Sequence, residues 1–405
     1  MARIFIAWEM GDSLGHLARL SAIIHELLAR GHQLFFALDD TTYLELFSFP
    51  QNVTVLPAPS AKKQLFEGEP AICNASILLK RGYGDSKQLA GLVRCWHGLF
   101  SLAEPDLYLF DYAPTAMLAA RGAVKPKVIA SSGFGSLVPG KPDIELAPWR
   151  ENSQSLLARH EAMVVESINS VCDRFHYQRV RYLSDIYHCD LSLISCLPEL
   201  DEYRRDPART IYWGFRPVAT TFPEPRWAKN DKRKVFAYLK AHLPQSTLVL
   251  DVLADSDLEV ICYGAGFDSA AADRYRSRGL HLYLEPVSLT DLLPRADLVV
   301  CHAGKELVSQ SLRSGVPLLM LPGQVEQHNC AQVIEKLGAG LMVPWQAGRD
   351  SIGSRLAELL LDPAYRQAAQ LLAKKHLSCD TNEERLSAIC DRLEALLDPS
   401  AGQQE

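Results

Sequence analysis

Short apolar runs alternate along this chain with longer stretches in which apolar residues return every three or four positions. Residues 4–8 are continuously apolar, and 16–30 carries Leu17, Leu20, Ile24, Leu27 and Leu28 at helical spacing. Gly31 stops that helix, and strand character returns at 33–38. Strands are also expected at 53–56, 107–110 and 127–130, with helices at 86–103 and 113–121. A strand can dispense with polar alternation only when both of its faces are covered. The pattern therefore predicts an α/β fold with a parallel sheet between two layers of helices.

The pattern then restarts. A helical stretch at 153–187 leads to strands at 191–195 and 210–213. Residues 216–233 hold Pro217, Pro223 and Pro225 among charges, without periodicity, and read as a linker. Beyond it, strands at 234–239, 259–263, 280–283, 298–301 and 317–321 alternate with helices at 245–254, 289–295, 305–314 and 327–336. The expected division is a first Rossmann-like domain over 1–215 and a second over 216–382. An amphipathic helix and tail at 383–405 would close the second domain or reach back to the first, with 399–405 frayed. Two doubly wound halves of this kind are expected to face each other across a cleft at their strand carboxyl ends.

Composition narrows the function. In 405 residues there are 48 acidic and 42 basic side chains, a formal net charge of −6, which argues against a nucleic-acid-coating surface. With 48% hydrophobic and 22% charged residues the chain is ordinary globular material, and two or three domains suit its length. No apolar run approaches the roughly 18 residues of a membrane span. The apolar run 4–8 is too short for a signal sequence and is followed at once by Glu9 and Asp12, so a cytoplasmic protein is expected. Ten cysteines are scattered singly, without a Cys-x-x-Cys pair. Neither a zinc site nor a disulfide framework has that spacing, and reduced, mostly buried thiols are expected.

Candidate chemistry sits at strand ends. Gly11-Asp-Ser-Leu-Gly15-His16-Leu-Ala-Arg19 joins the first strand to the first helix. It is neither the Gly-x-Gly-x-x-Gly dinucleotide fingerprint nor a P-loop. It does put an imidazole where a general base would stand, although His16 could equally pack the loop. Asp111 ends the fourth strand and would orient that imidazole, or cap the helix that follows. In the second half, His302-Ala303-Gly304-Lys305 turns from strand to helix. The amides of that helix start, with His302 and Lys305, could hold a diphosphate without a metal; the alternative is a plain turn with a surface lysine. Glu326 and Gln327 follow the next strand, where a carboxylate and an amide suit paired sugar hydroxyls or a helix cap.

These residues carry a resemblance. His302–Gly304, Gly315–Pro317, Pro322, Glu326-Gln327 and Leu337-Gly-Ala-Gly340 resemble the donor half of GT-B nucleotide-sugar glycosyltransferases, of the macrolide and UDP-glucosyl transferase type. Gly15-His16, Arg30-Gly31-His32, Pro198 to Tyr203 before Trp213-Gly214, and Leu292 to Asp297 agree, so the likeness spans nearly the whole chain. It implies a metal-independent, inverting transfer with no cofactor beyond a nucleoside-diphosphate sugar as co-substrate. His16 would take the acceptor proton and Asp111 would orient it. His302, Gly304 and Lys305 would hold the diphosphate, Glu326 and Gln327 the sugar, and the backbone at Val287 and Ser288 the base. The acceptor could be a small molecule, lipid or glycan. The turn departs from the family's His-Gly-Gly-x-Gly-Thr: Ala303 replaces a glycine, and Leu307 stands where a hydroxyl is usual. Two alternatives stay open, a nucleotide-sugar hydrolase or epimerase, and a nucleotide-sugar-binding protein without catalysis.

Overall fold

Strand β1 (Arg3–Trp8) is buried at every position after its first, as a strand covered on both faces must be. In the computed structural model it is an interior strand of one of two α/β units. The first unit comprises Met1–Ala219 with Asp380–Glu405, and the second Thr220–Cys379. The structure describes residues 1–11, 14–42, 44–47, 49–61, 71–151, 153–214, 222–243, 245–376 and 382–398. Asp12, Pro217 and the tail 399–405 lie outside the described residues, as does part of the linker expected at 216–233.

After β1 the first unit runs through α1 (Leu14–Ala29), β2 (Gln33–Leu38), β3 (Thr54–Pro57), α2 (Asn74–Leu78), α3 (Ser86–Ala103), β4 (Leu107–Asp111), α4 (Pro114–Ala119), β5 (Lys127–Ser131), α5 (Ser153–Phe175), β6 (Leu191–Ile194) and β7 (Thr210–Tyr212). Its sheet has the order β3-β2-β1-β4-β5-β6-β7, parallel throughout. The chain therefore changes direction across the sheet between β1 and β4. That is a topological switch point, beyond whose strand ends such folds bind ligands. The register sets Trp8 beside Asp111 at that place.

Helix α1 buries Leu17, Leu20, Ile23, Ile24 and Leu27 against the sheet. It closes at Gly31, whose φ of +83° suits a residue without a Cβ. There Gly31 N–H donates to Leu28 O at 2.9 Å and His32 N–H to Leu27 O at 3.1 Å, satisfying two terminal carbonyls.

The second unit runs β8 (Arg233–Lys240), α6 (Gln245–Ala254), β9 (Leu258–Ala265), α7 (Ser269–Arg276), β10 (His281–Tyr283), β11 (Leu298–Cys301), α8 (Lys305–Arg313), β12 (Leu318–Met320), α9 (Val325–Lys336), β13 (Gly340–Met342), α10 (Arg349–Leu361) and α11 (Pro363–Lys375). Its parallel sheet is ordered β10-β9-β8-β11-β12-β13, with the switch point between β8 and β11. The last helix, α12 (Asn382–Leu397), belongs to the first unit and packs on α1, burying Ile389, Cys390 and Leu393.

Two expected helices are shorter than the pattern implied. The stretch 153–187 leaves the helix after Phe175: His176 takes φ +58°, Tyr177 N–H returns to Cys172 O at 2.8 Å, and a separate 3-10 turn covers Leu183–Tyr187. The stretch 289–295 forms only the 3-10 turn Leu293–Arg295, because Pro294 lacks an N–H and disfavours a helical residue before it. Strand β13 and helices α2, α7, α10 and α11 are not among the elements the pattern predicts.

A cluster around Arg30 fastens α12. Arg30 donates to Asp391 at 2.6 Å, Glu394 at 2.7 Å and Ser387 Oγ at 2.7 Å, while His32 Nε2 meets Glu394 Oε1 at 2.8 Å. Arg30→Ala should cost this helix about 1–2 kcal/mol, since the acids are partly solvated. Hydrogen exchange in 382–397 should then quicken roughly tenfold while β1 and β4 stay protected. Unchanged exchange there would show that apolar packing alone holds α12.

Candidate functional site

In the first unit, the switch point brings His16 and Asp111 together. His16 sits on the first turn of α1, and its Nδ1 lies 2.9 Å from Asp111 Oδ2. Its ring stacks on the buried Trp8 indole, centroids 5.1 Å apart and planes 16° apart, and Tyr112 lies nearly parallel at 6.5 Å. Trp8 is itself held by a 2.8 Å bond from Nε1 to Met10 O. Gly11, at φ +93°, passes so close to the ring that a Cβ would collide with His16 Nε2. Only glycine satisfies both requirements.

Asp111 is wholly buried and has a second partner that residue types alone did not suggest. Arg19 NH2 donates to both carboxylate oxygens, at 2.8 and 2.7 Å, and NH1 donates to Ser195 Oγ at 3.2 Å. Burial alone would raise the Asp111 carboxyl, but Arg19 and His16 outweigh it and hold it below the usual carboxylate range. Arg19 is three residues beyond His16, so the two share a helix face; that spacing was the available signal. A second unanticipated group is Glu9, the residue after β1. Its Oε2 accepts from the amides of Thr115 and Ala116 at 2.8 and 3.3 Å, at the start of α4. Burial pushes its carboxyl up to about 7 despite those bonds.

In the second unit, β11 ends at the His302-Ala-Gly304 turn and α8 begins at Lys305, with Gly304 as its cap residue and no side-chain cap. His302 is buried, and both ring nitrogens are engaged. Nδ1 donates to Leu321 O at 2.9 Å and Nε2 accepts from Lys240 N–H at 3.0 Å. Burial pushes its pKa down to about 4, so the ring is neutral and clamps the ends of β8 and β12 to the turn. In this arrangement it has no further N–H for a ligand. Ala303 takes φ +59°, a left-handed conformation that favours glycine. Lys305 is buried, unlike the surface lysine of the plain-turn alternative.

Glu326 and Gln327 occupy the first turn of α9, where Gln327 Oε1 accepts from Gly323 N–H at 2.8 Å. The Gln327 oxygen is thus spent locally and its NH2 group is what it can offer. Val287 is buried, and Ser288 N–H donates to Pro223 O at 2.9 Å. Among the described residues no three His, Cys, Asp or Glu side chains gather as a metal site, and no helix is long and apolar enough to cross a membrane.

The fold has solved counterparts. The glycotransferase of kitacinnamycin superposes with a TM-score of 0.71, at 19% identity, over 98% of this chain and 99% of that one. This chain has the GT-B fold. A spinosyn rhamnosyltransferase complexed with thymidine diphosphate shares it, with a TM-score of 0.66 and 17% identity over 97% of this chain and 100% of that one; the same enzyme has been solved with its aglycone. Residues 247–396 of this GT-B protein match the erythromycin biosynthesis protein CIII-like C-terminal domain family. Among curated relatives, a PGL/p-HBAD biosynthesis glycosyltransferase of Mycobacterium tuberculosis is 27% identical over 199 residues, 46% of this chain and 44% of the relative. The chain thus matches less than half the length of that relative.

Two outcomes follow from the bonds described. The folded Glu9 carboxyl titrates above its unfolded value of about 4.3, so the folded state keeps a proton that the unfolded state has lost. Stability is then complete below about pH 4.3 and falls as pH rises to about 7, by about 3 kcal/mol. Glu9→Gln keeps an acceptor for both amides but cannot ionise. Its melting temperature relative to the parent should rise across pH 5–7, and a constant difference would refute the assignment. His302→Ala leaves the Lys240 amide and the Leu321 carbonyl without their partner. Denaturant melts should show a loss of about 2–4 kcal/mol without any ligand present; an unaltered midpoint would return His302 to a purely ligand-facing role.

Proposed function

We propose that this GT-B protein is a glycosyltransferase that moves a sugar from a nucleoside-diphosphate sugar to an acceptor hydroxyl, without a metal ion and with inversion at the anomeric carbon. The observation that carries this reading is the 2.9 Å contact between His16 Nδ1 and Asp111 Oδ2 at a switch point. A proton held on Nδ1 by the carboxylate leaves Nε2 with its lone pair, and Nε2 makes no hydrogen bond among the described residues. Nε2 would take the acceptor proton as the acceptor oxygen bonds to the anomeric carbon. The bond from that carbon to the diphosphate oxygen breaks on the opposite face, which gives inversion.

The leaving diphosphate gains negative charge. The amides at the start of α8 and the Lys305 side chain are assigned to it, since a helix start favours an anion. Glu326 and the Gln327 amide are assigned to sugar hydroxyls, and the backbone at Val287 to the base, the Ser288 amide being already bonded to Pro223. His302 serves by holding the turn in shape. The thymidine diphosphate and aglycone complexes of the spinosyn enzyme, and the names of the relatives, support a nucleoside diphosphate donor and an acceptor that is a small molecule, lipid or glycan.

His16→Ala should lower kcat by about 10²- to 10⁴-fold, the usual worth of a general base. Its thermal stabilisation by UDP-, TDP- or GDP-sugars should match the parent's, because a bound ligand stabilises by the logarithm of its concentration over its Kd. Nucleotide-sugar binding without turnover in the parent, over a broad acceptor panel, would point to a binding protein. Sugar release with donor alone would point to a hydrolase.

A further inference from the structure

Asp111 has two oxygens and two partners, and the geometry divides it unequally. Arg19 NH2 reaches both oxygens, while His16 Nδ1 reaches only Oδ2. Arg19 and Asp111 are essentially unexposed, whereas the His16 side chain is 13% exposed. Arg19 NH2 also lies 3.1 Å from His16 Nδ1. Arginine has no acceptor, and its donors converge with Nδ1–H on one carboxylate. Tyr112, just beyond β4, is a further titratable group that faces the ring.

A buried carboxylate with only an imidazole beside it would draw a second proton onto that ring, since the ion pair is cheaper than a lone buried charge. An imidazolium has no lone pair and cannot act as a base. A guanidinium, always charged, neutralises the carboxylate permanently and repels a second cation at 3.1 Å. We propose that Arg19 is a positioning residue that neutralises Asp111, so that His16 stays uncharged with its proton on Nδ1 and its lone pair on Nε2. The bond to Ser195 Oγ fixes the guanidinium from the end of β6, so its placement does not depend on His16. The consequence for transfer rests on the glycosyltransferase reading; the charge state of the ring does not.

The test uses the full chain with ¹⁵N-labelled histidine, His16 being assigned by its loss in His16→Asn. At pH 7 the parent should show a protonated Nδ1 and a lone-pair Nε2. Arg19→Gln should move the Nε2 signal to the protonated position at that pH, and Arg19→Lys, which keeps the charge, should restore the parent pattern. Transfer by Arg19→Gln should fall about tenfold in kcat/KM at pH 7 and recover at higher pH. A parent ring already doubly protonated at pH 7 overturns the proposal even if neither variant folds. So does an Arg19→Gln ring that keeps its lone pair, or an Arg19→Lys ring that behaves like Arg19→Gln. A parent that transfers no sugar to any acceptor, yet shows these spectra, would sink the transferase reading and leave the role of Arg19 standing.

Discussion

A fully buried carboxylate is the constraint around which the first unit is arranged. Leaving Asp111 without a partner would cost several kcal/mol, and removing one partner of such a buried group commonly costs about 3–5 kcal/mol. One turn of α1 supplies both His16 and Arg19, and β4 delivers the acid to meet them. Their meeting requires β1 and β4 to be neighbours, which the reversal of strand order provides. Gly11 has to be glycine because the ring occupies the space a side chain would need. Trp8 and Tyr112 leave the imidazole little freedom to turn.

The second unit is held differently at the corresponding place. A neutral imidazole joins the ends of β8 and β12 to the turn after β11 with two backbone bonds. A neutral clamp needs no buried countercharge of its own. Ala303 adopts its left-handed conformation inside this clamp, and non-glycine residues persist in such conformations only where the surroundings over-determine them.

How far these features can be read in advance depends on how local their causes are. The strands and α1 are legible because burial on two faces, or on one helical stripe, is written into consecutive residues. His16 and Asp111 are legible as strand-end groups once the parallel order is inferred. Arg19 stands in the same motif, but its role needs the carboxylate of residue 111 and the i, i+3 geometry together. Glu9 depends on amides 106 and 107 positions away, so its raised affinity for a proton has no local signature. His302 reads as a ligand donor from residue type, whereas its nitrogens are claimed by Lys240 and Leu321 from other strands. The end of α5 carries neither glycine nor proline, so nothing local marks it. By contrast α10 does bury Ile352, Leu356 and Leu359 at helical spacing, a pattern open to reading.

The helix starts supply one more argument about where an anion would go. Aspartate side chains occupy the starts of α3, α7 and α11, through Asp85, Asp268 and Asp362. Glu9 does the same for α4, taking the amides of Thr115 and Ala116. A side-chain oxygen already seated there satisfies the donors, and an ionised aspartate also repels a second negative charge. Helix α8 is built otherwise: its cap residue Gly304 offers no side chain, and its first turn holds the buried Lys305 beside Glu306. The start of α4 is thus already taken by one of the protein's own side-chain oxygens, whereas the cap residue of α8 contributes none.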